Sequence, residues 1–286
     1  MASMRDIKRR KESVQSTSQI TKAMKLVSTV KLQKARVRAQ NSKPYFSAMQ
    51  HAVTSMIALS ENMEHPFLKG NASPKKAVIL ITSNRGLAGG YNSNVTKLLM
   101  ESGIPAEECM IFAVGKKGRD ILASRGYEIR EEYNDAINAP LFSDAAAIGK
   151  QVLDAYVSGE VGGIYLLYTE FKNTVSHIPV MEKLLPINRE DFSEEELGNH
   201  LTFMNFEPAP DEALDMIIPG YINSLIYGGL TEAYASENGA RMQAMDSATN
   251  NAEEMMDDLA LKYNRARQSS ITQEITEIVA GAAAIS

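Results

Sequence analysis

MQAMDSATNNAEEMMDDLALKYNRA, residues 242–266, is the stretch whose reading decides the fold. Met242, Met245, Thr249, Ala252, Met256, Leu259, Tyr263 and Ala266 stand alternately three and four residues apart. That spacing holds one face of a helix against a partner helix over more than three heptads. A core-facing helix of a bundle is the alternative reading. Glu253-Glu254 and Asp257-Asp258 fall in the same stretch, where a solvated face explains them better than general acid–base work.

Helix breakers thin out around this seam and again at the other end of the chain. Residues 1–43 contain no glycine or proline; after Gly239 the next glycine is Gly281, and no proline follows. Both ends therefore read as long helices. Within residues 7–43, Ile20, Met24, Val27, Val30 and Val37 form a narrow apolar stripe among Lys, Arg, Gln, Ser and Thr. Pro44 removes one backbone donor and can kink this helix. Helicity resumes through Met49, Val53, Met56 and Leu59 and is expected to end near His65-Pro66. Gly70, Asn71, Ser73 and Pro74 read as a linker. In the C-terminal part, Pro219-Gly220 and Gly228-Gly229 are expected to interrupt the helix.

At ~1.5 Å per residue, a helix over 211–284 spans roughly 110 Å and one over 7–59 roughly 80 Å. The simplest arrangement is an antiparallel pair, since one helix enters the middle segment and the other leaves it. The longer C-terminal helix would project past its mate.

The middle changes period. Ala77-Val-Ile-Leu-Ile81, Met110-Ile-Phe-Ala-Val114 and Gly163-Ile-Tyr-Leu-Leu-Tyr168 are continuous apolar runs, the mark of strands covered on both faces. Helices are predicted over 91–101, 117–125 and 143–158. Strands alternating with helices predict an α/β fold with a doubly wound, Rossmann-like sheet. Residues 175–185 and 201–206 read as later strands, antiparallel at an edge, and 191–199 as a surface loop or short helix. The expected division is a first long helix in 1–70, a central α/β domain in 75–206 and a second long helix in 207–286.

Composition narrows the function. The chain has 286 residues and a formal net charge of −5, yet residues 1–43 hold twelve Lys or Arg against Asp6 and Glu12. A basic arm on an otherwise acidic chain suggests an acidic partner, or simply a solvated helix face. Nucleic acid is the weaker candidate, because no aromatic residue before Tyr45 offers a base a platform. The single cysteine, Cys109, cannot form an internal disulfide and reads as a core residue. With no apolar run near the ~18 residues of a membrane span, attachment to a membrane is expected only through partners.

Chemistry is hard to find. Ser83-Asn-Arg-Gly-Leu-Ala-Gly-Gly-Tyr-Asn92 follows the first strand, where α/β folds often bind phosphate. It is neither a dinucleotide fingerprint nor a P-loop, and a closely packed turn is the better reading. His51, His65, His177 and His200 have no metal-ligand spacing. No catalytic, cofactor-binding or metal site is expected. The rival readings are a nucleotide-dependent α/β enzyme with helical extensions and a nucleic-acid-binding coiled-coil protein.

The two ends resemble the gamma subunit of F-type ATP synthases. The resemblance lies in Ile7-Lys-Arg-Arg-Lys-Glu-Ser-Val14, Ile20-Thr-Lys-Ala-Met-Lys-Leu-Val27, Lys31-Leu-Gln-Lys-Ala35, Arg85-Gly-Leu-Ala-Gly-Gly-Tyr-Asn92, Ser236-Glu-Asn-Gly-Ala-Arg-Met-Gln-Ala-Met245 and Ile271-Thr-Gln-Glu-Ile-Thr-Glu-Ile-Val-Ala-Gly-Ala282. It implies a non-catalytic rotor shaft, one copy per complex, without a cofactor. The shaft would thread a head of alternating alpha and beta subunits. Its α/β domain would sit beside the epsilon subunit on the proton-driven membrane ring of c subunits, at the cytoplasmic face of a bacterial cell membrane. The resemblance also implies head contacts at Lys8, Arg9, Arg10, Lys11, Met24, Arg241, Gln268, Thr272, Ile278 and Ile285. The coiled-coil seam is expected at Val27, Met242, Met245, Met256, Leu259 and Tyr263. The segment 278–285 is small, apolar and uncharged, which suits a low-friction bearing.

Overall fold

The computed structural model describes residues 4–59, 65–188 and 210–285. Two helices of 56 and 76 residues, α1 (Met4–Leu59) and α6 (Pro210–Ile285), flank the rest. Between them come α2 (Pro66–Lys69), β1 (Lys76–Ile81), α3 (Tyr91–Glu101), β2 (Cys109–Val114), α4 (Lys116–Ala123), β3 (Glu128–Glu132), α5 (Phe142–Val157), β4 (Gly163–Phe171) and β5 (His177–Leu185). The five strands form one sheet in the order β3-β2-β1-β4-β5. Its first four strands are parallel and β5 pairs antiparallel to β4 at the edge.

The apolar runs become strands because both faces of the sheet are covered. In β1, Ala77, Ile79 and Ile81 enter one core with Val53 and Met56 of α1, Ile148 and Val152 of α5, and Ile222 and Ile226 of α6. Val78 and Leu80 enter the other, with Val95 and Leu99 of α3 and Leu122 of α4. The two-residue period of a strand sends alternate side chains into different cores, so no polar face is needed. The fold is thus the expected doubly wound α/β sheet flanked by two long helices.

Three local expectations need correction. The edge strand β3 went unforeseen: Glu-Ile-Arg-Glu-Glu has one apolar residue, and its charges blunt an exposed edge rather than fill a core. Pro219 does not interrupt α6, and Pro44, where the sequence allows a kink, lies within the unbroken helix α1. The glycines at 220 and 229 do not break α6 either. A Cβ at Gly220 would stand 3.1 Å from Met49 Cε, and one at Gly229 would stand 2.9 Å from Leu166 Cδ2. These positions are small so that α6 can lie close to α1 and to the sheet, and that packing offsets their low helix propensity. The stretches 191–199 and 201–206, expected as a loop or short helix and as a strand, lie outside the described residues.

Packing divides the chain into two compact units. One comprises Met1–Ser28 with Met242–Ser286; the other is Thr29–Arg241 and contains the whole sheet.

Candidate functional site

In the first unit, α1 and α6 run antiparallel. Thr21 Oγ1 lies 2.7 Å from Thr249 Oγ1, and Lys25 Nζ lies 2.5 Å from Asp246 Oδ1, so numbers rise along one helix as they fall along the other. On α6, Met245, Thr249, Ala252 and Leu259 are buried, while Met242, Met256, Tyr263 and Ala266 are half-buried. On α1 the buried or half-buried line is Val14, Ser18, Thr21, Lys25 and Ser28, spaced four and three apart.

Val27 is not on that line. It is 57% exposed, as are Ile20 and, slightly more, Leu26, and Met24 is only half-buried. Ile20, Val27, Val30 and Val37 of the apolar stripe are exposed while Ser28 is buried, so the seam residue expected at Val27 is corrected to its neighbour Ser28. Small hydroxyl side chains let two helices approach closely, whereas a hydrophobicity pattern points to the larger residues on the outer face. The signal that could have found the true seam is the 4–3 count itself, taken without regard to polarity.

Lys8, Arg9, Arg10 and Lys11 are all exposed. Arg10 borders a groove of about 660 Å³ between the first turns of α1 and the 255–269 stretch of α6, together with Ile7, Met255, Leu259, Lys262 and Arg265. Further along α6, Gln268 and Thr272 are exposed, and Ile278 is 70% exposed. The side chain of Ile285 lies outside the described residues.

Arg241, in the second unit, is differently placed from the other expected head contacts. Its side chain is only 11% exposed and its Nη1 donates to Glu237 Oε1 at 2.6 Å. Its Nη2 reaches the carbonyls of Arg85 and Gly86 at 3.4 Å each. Instead of presenting its charge outward, Arg241 holds the loop after β1 against α6. Burial raises the Glu237 carboxyl above the ordinary glutamate range, against the opposing pull of Arg241. Tyr91 donates from its hydroxyl to Ala233 O at 3.2 Å, and burial pushes its pKa well up.

The loop itself spends its polar groups internally. Ser83 N–H donates to Asn92 Oδ1 at 2.9 Å, and Ser83 Oγ donates to Arg85 O at 2.6 Å. Asn84 bridges to Asn134 O and accepts from Lys116 N–H. Thr82 Oγ1 accepts from Gly118 N–H at 2.9 Å, tying the strand end to α4. This is the geometry of a packed turn. Cys109 is buried, and burial pushes its thiol up to about 11, which makes it a poor nucleophile at neutral pH. Among the described residues, no group of three or more His, Cys, Asp or Glu is placed to hold a metal. Nor, among them, is any helix long and apolar enough to cross a membrane.

Comparison with known proteins agrees with this geometry. The profile of the family described as ATP synthase matches residues 3–285. The ATP synthase gamma chain of Lachnoclostridium phytofermentans is 64% identical over 290 residues, covering 100% of both chains. That of Alkaliphilus metalliredigens is 45% identical, over 99% of this chain and 98% of the relative. The Acetobacterium woodii relative, named as a sodium ion specific ATP synthase gamma chain, is 42% identical over 99% of this chain and 98% of its own. Among solved structures, the central stalk and c-ring of Tetrahymena thermophila mitochondrial ATP synthase contains a chain 25% identical, with a TM-score of 0.60 over 80% of this chain and 99% of that one. A chain of the Euglena gracilis mitochondrial enzyme shares the fold at 20% identity, with a TM-score of 0.72 over 99% of this chain and 94% of its own. With a family profile spanning nearly every residue and relatives matching from end to end, the chain belongs to the ATP synthase gamma chain family.

Proposed function

We propose that this chain is the non-catalytic central-stalk subunit of an F-type ATP synthase, present once per complex. It would couple rotation of a membrane ring of c subunits to the three catalytic beta subunits of an alpha–beta head, with the epsilon subunit beside its α/β part. The observation that carries the reading is 64% identity along the whole length to a gamma chain, joined to an antiparallel pairing of the two terminal helices.

The physics of the role follows from asymmetry. One shaft inside a ring of pseudo-threefold symmetry cannot touch three beta subunits alike. Each angular position therefore favours a different conformation at each site, and turning the shaft moves the sites through binding, synthesis and release. The exposed apolar residues Ile20, Leu26 and Val27 and the exposed tail around Ile278 support enclosure of the coil by a protein sleeve. Lys8, Arg9, Arg10 and Lys11 are assigned to acidic loops of the beta subunits, and Met24, Gln268, Thr272, Ile278 and Ile285 to further head contacts. The same proposal takes 75–206 as an α/β body inserted between helical segments 1–70 and 207–286. It places the complex at the cytoplasmic face of a bacterial cell membrane, driven by protons.

Co-expression with alpha and beta subunits and purification through a tag on this chain tests the reading. The expected product is a stoichiometric alpha–beta hexamer with one copy of this chain and ATPase activity; recovery of the chain alone overturns it. Vesicle assays with and without sodium decide the driving ion.

A further inference from the structure

We infer that Thr21 and Thr249, supported by Lys25 and Asp246, are positioning residues that pin the axial register of the two shaft helices so that torque is passed on without slippage. The inference rests on the rotor reading above. Its basis is the unusual distribution of side chains in the coil. The face that α1 turns to α6 carries Ser18, Thr21 and Ser28, all buried, while Ile20, Leu26 and Val27 point outward. Small side chains make shallow knobs, and shallow knobs resist sliding poorly. In coiled coils a buried polar residue is the usual device for fixing register.

The hydroxyl pair is built for that task. Both threonines are buried, and their oxygens are 2.7 Å apart. Thr21 Oγ1 is also 3.0 Å from Ser18 O, and Thr249 Oγ1 is 2.8 Å from Met245 O. Two protons therefore serve one bond across the helices and one bond back to a carbonyl. A slip of one helical turn moves the helices by ~5.4 Å and takes the hydroxyls out of reach. A slip of a whole heptad would place Thr21 opposite Met242 or Met256, neither of which carries a hydroxyl. Lys25 and Asp246 add a charge pair next to the threonines, at the edge of the seam, at 2.5 Å.

Removing both hydroxyls leaves a nearly isosteric apolar pair, and no buried donor is stranded, so the fold should survive while the pin is lost. The experiment uses complete complexes in membrane vesicles and measures ATP hydrolysis beside ATP-driven ion uptake. T21V/T249V is expected to hydrolyse ATP within twofold of wild type, with ion uptake per ATP reduced threefold or more. T21S/T249S should restore uptake, and K25D/D246K should recover coupling that K25D loses. Wild-type uptake per ATP in T21V/T249V overturns the inference. So does a defect that T21S/T249S fails to rescue, since that defect would be one of packing. Failure of the wild-type chain to assemble with the head would instead strike the rotor reading itself.

Discussion

Arg241 Nη1 donates to Glu237 Oε1 across one turn of α6 at 2.6 Å, and each side chain is only 11% exposed. Breaking such a buried pair from one side costs about 3–5 kcal/mol, because the remaining charge is left without compensation. Arg241→Ala is therefore expected to lower stability by an amount of that order, measured by urea denaturation of the full chain. The same change releases the loop carbonyls of Arg85 and Gly86, so hydrogen exchange should accelerate around residues 83–92.

The pH dependence of that variant has a definite sign. Burial already raises the Glu237 carboxyl in the folded chain, and Arg241 opposes the rise. Without the arginine the folded pKa climbs further above its unfolded value. An acid raised on folding favours the folded state when protonated, so that contribution is full below the unfolded pKa and is lost as pH rises through the folded one. The gap between Arg241→Ala and wild type should narrow as the medium is acidified below neutrality. A gap that stays constant with pH would mean that Glu237 is not the strained group.

Gly115 separates a packing role from a conformational one. It has φ +91°, and a Cβ there would stand 2.2 Å from the carbonyl oxygen of Thr82, a backbone atom of the strand end that cannot easily yield. Gly126 has φ +84° with nothing within 4 Å. Gly126→Ala should cost about 1–2 kcal/mol, the strain of a left-handed backbone alone. Gly115→Ala adds the clash and should cost about 4 kcal/mol or more. Equal losses in the two melts would show that the close approach of Thr82 is not rigid.

The corrected seam yields a paired test. Met245 is buried and Val27 is 57% exposed. Met245→Asp would bury a carboxylate in an apolar seam and should cost a few kcal/mol. Val27→Asp should change stability of the isolated chain by no more than about 0.5 kcal/mol. Thermal melts of both variants check the assignment, and a large loss for Val27→Asp would return that residue to the seam.

What the sequence disclosed, and what it hid, follows from how each element earns its burial. Ala77–Ile81 and Met110–Val114 were readable because both of their faces meet helices. The α6 side of the coil was readable because methionines and Leu259 mark its face at the heptad count. The α1 side was not, because Ser18, Thr21 and Ser28 occupy most of its inner face while Ile20, Leu26 and Val27 are exposed. Gly220 and Gly229 looked like breakers because their role, close approach to Met49 and Leu166, depends on residues far away in sequence. The inward turn of Arg241 was hidden for the same reason: its carbonyl partners lie some 155 residues earlier.

The basic arm gives the prediction that separates force transmission from assembly. Lys8, Arg9, Arg10 and Lys11 are all exposed, so each is available to an acidic surface. Exposed ion pairs are individually worth about 0–1 kcal/mol, and reversing a single charge should leave assembly and rate nearly unchanged. Reversing all four to Glu replaces attraction by repulsion at every encounter with an acidic loop, an effect that salt screens. The quadruple variant is expected to assemble but to hydrolyse ATP abnormally and to drive less ion uptake per ATP, with the defect shrinking at higher salt. Hydrolysis and ATP-driven uptake in vesicles at low and moderate ionic strength measure both effects. If rate and coupling are unchanged at low salt, the four charges are a solvated helix face and the acidic partner must be sought elsewhere on the shaft.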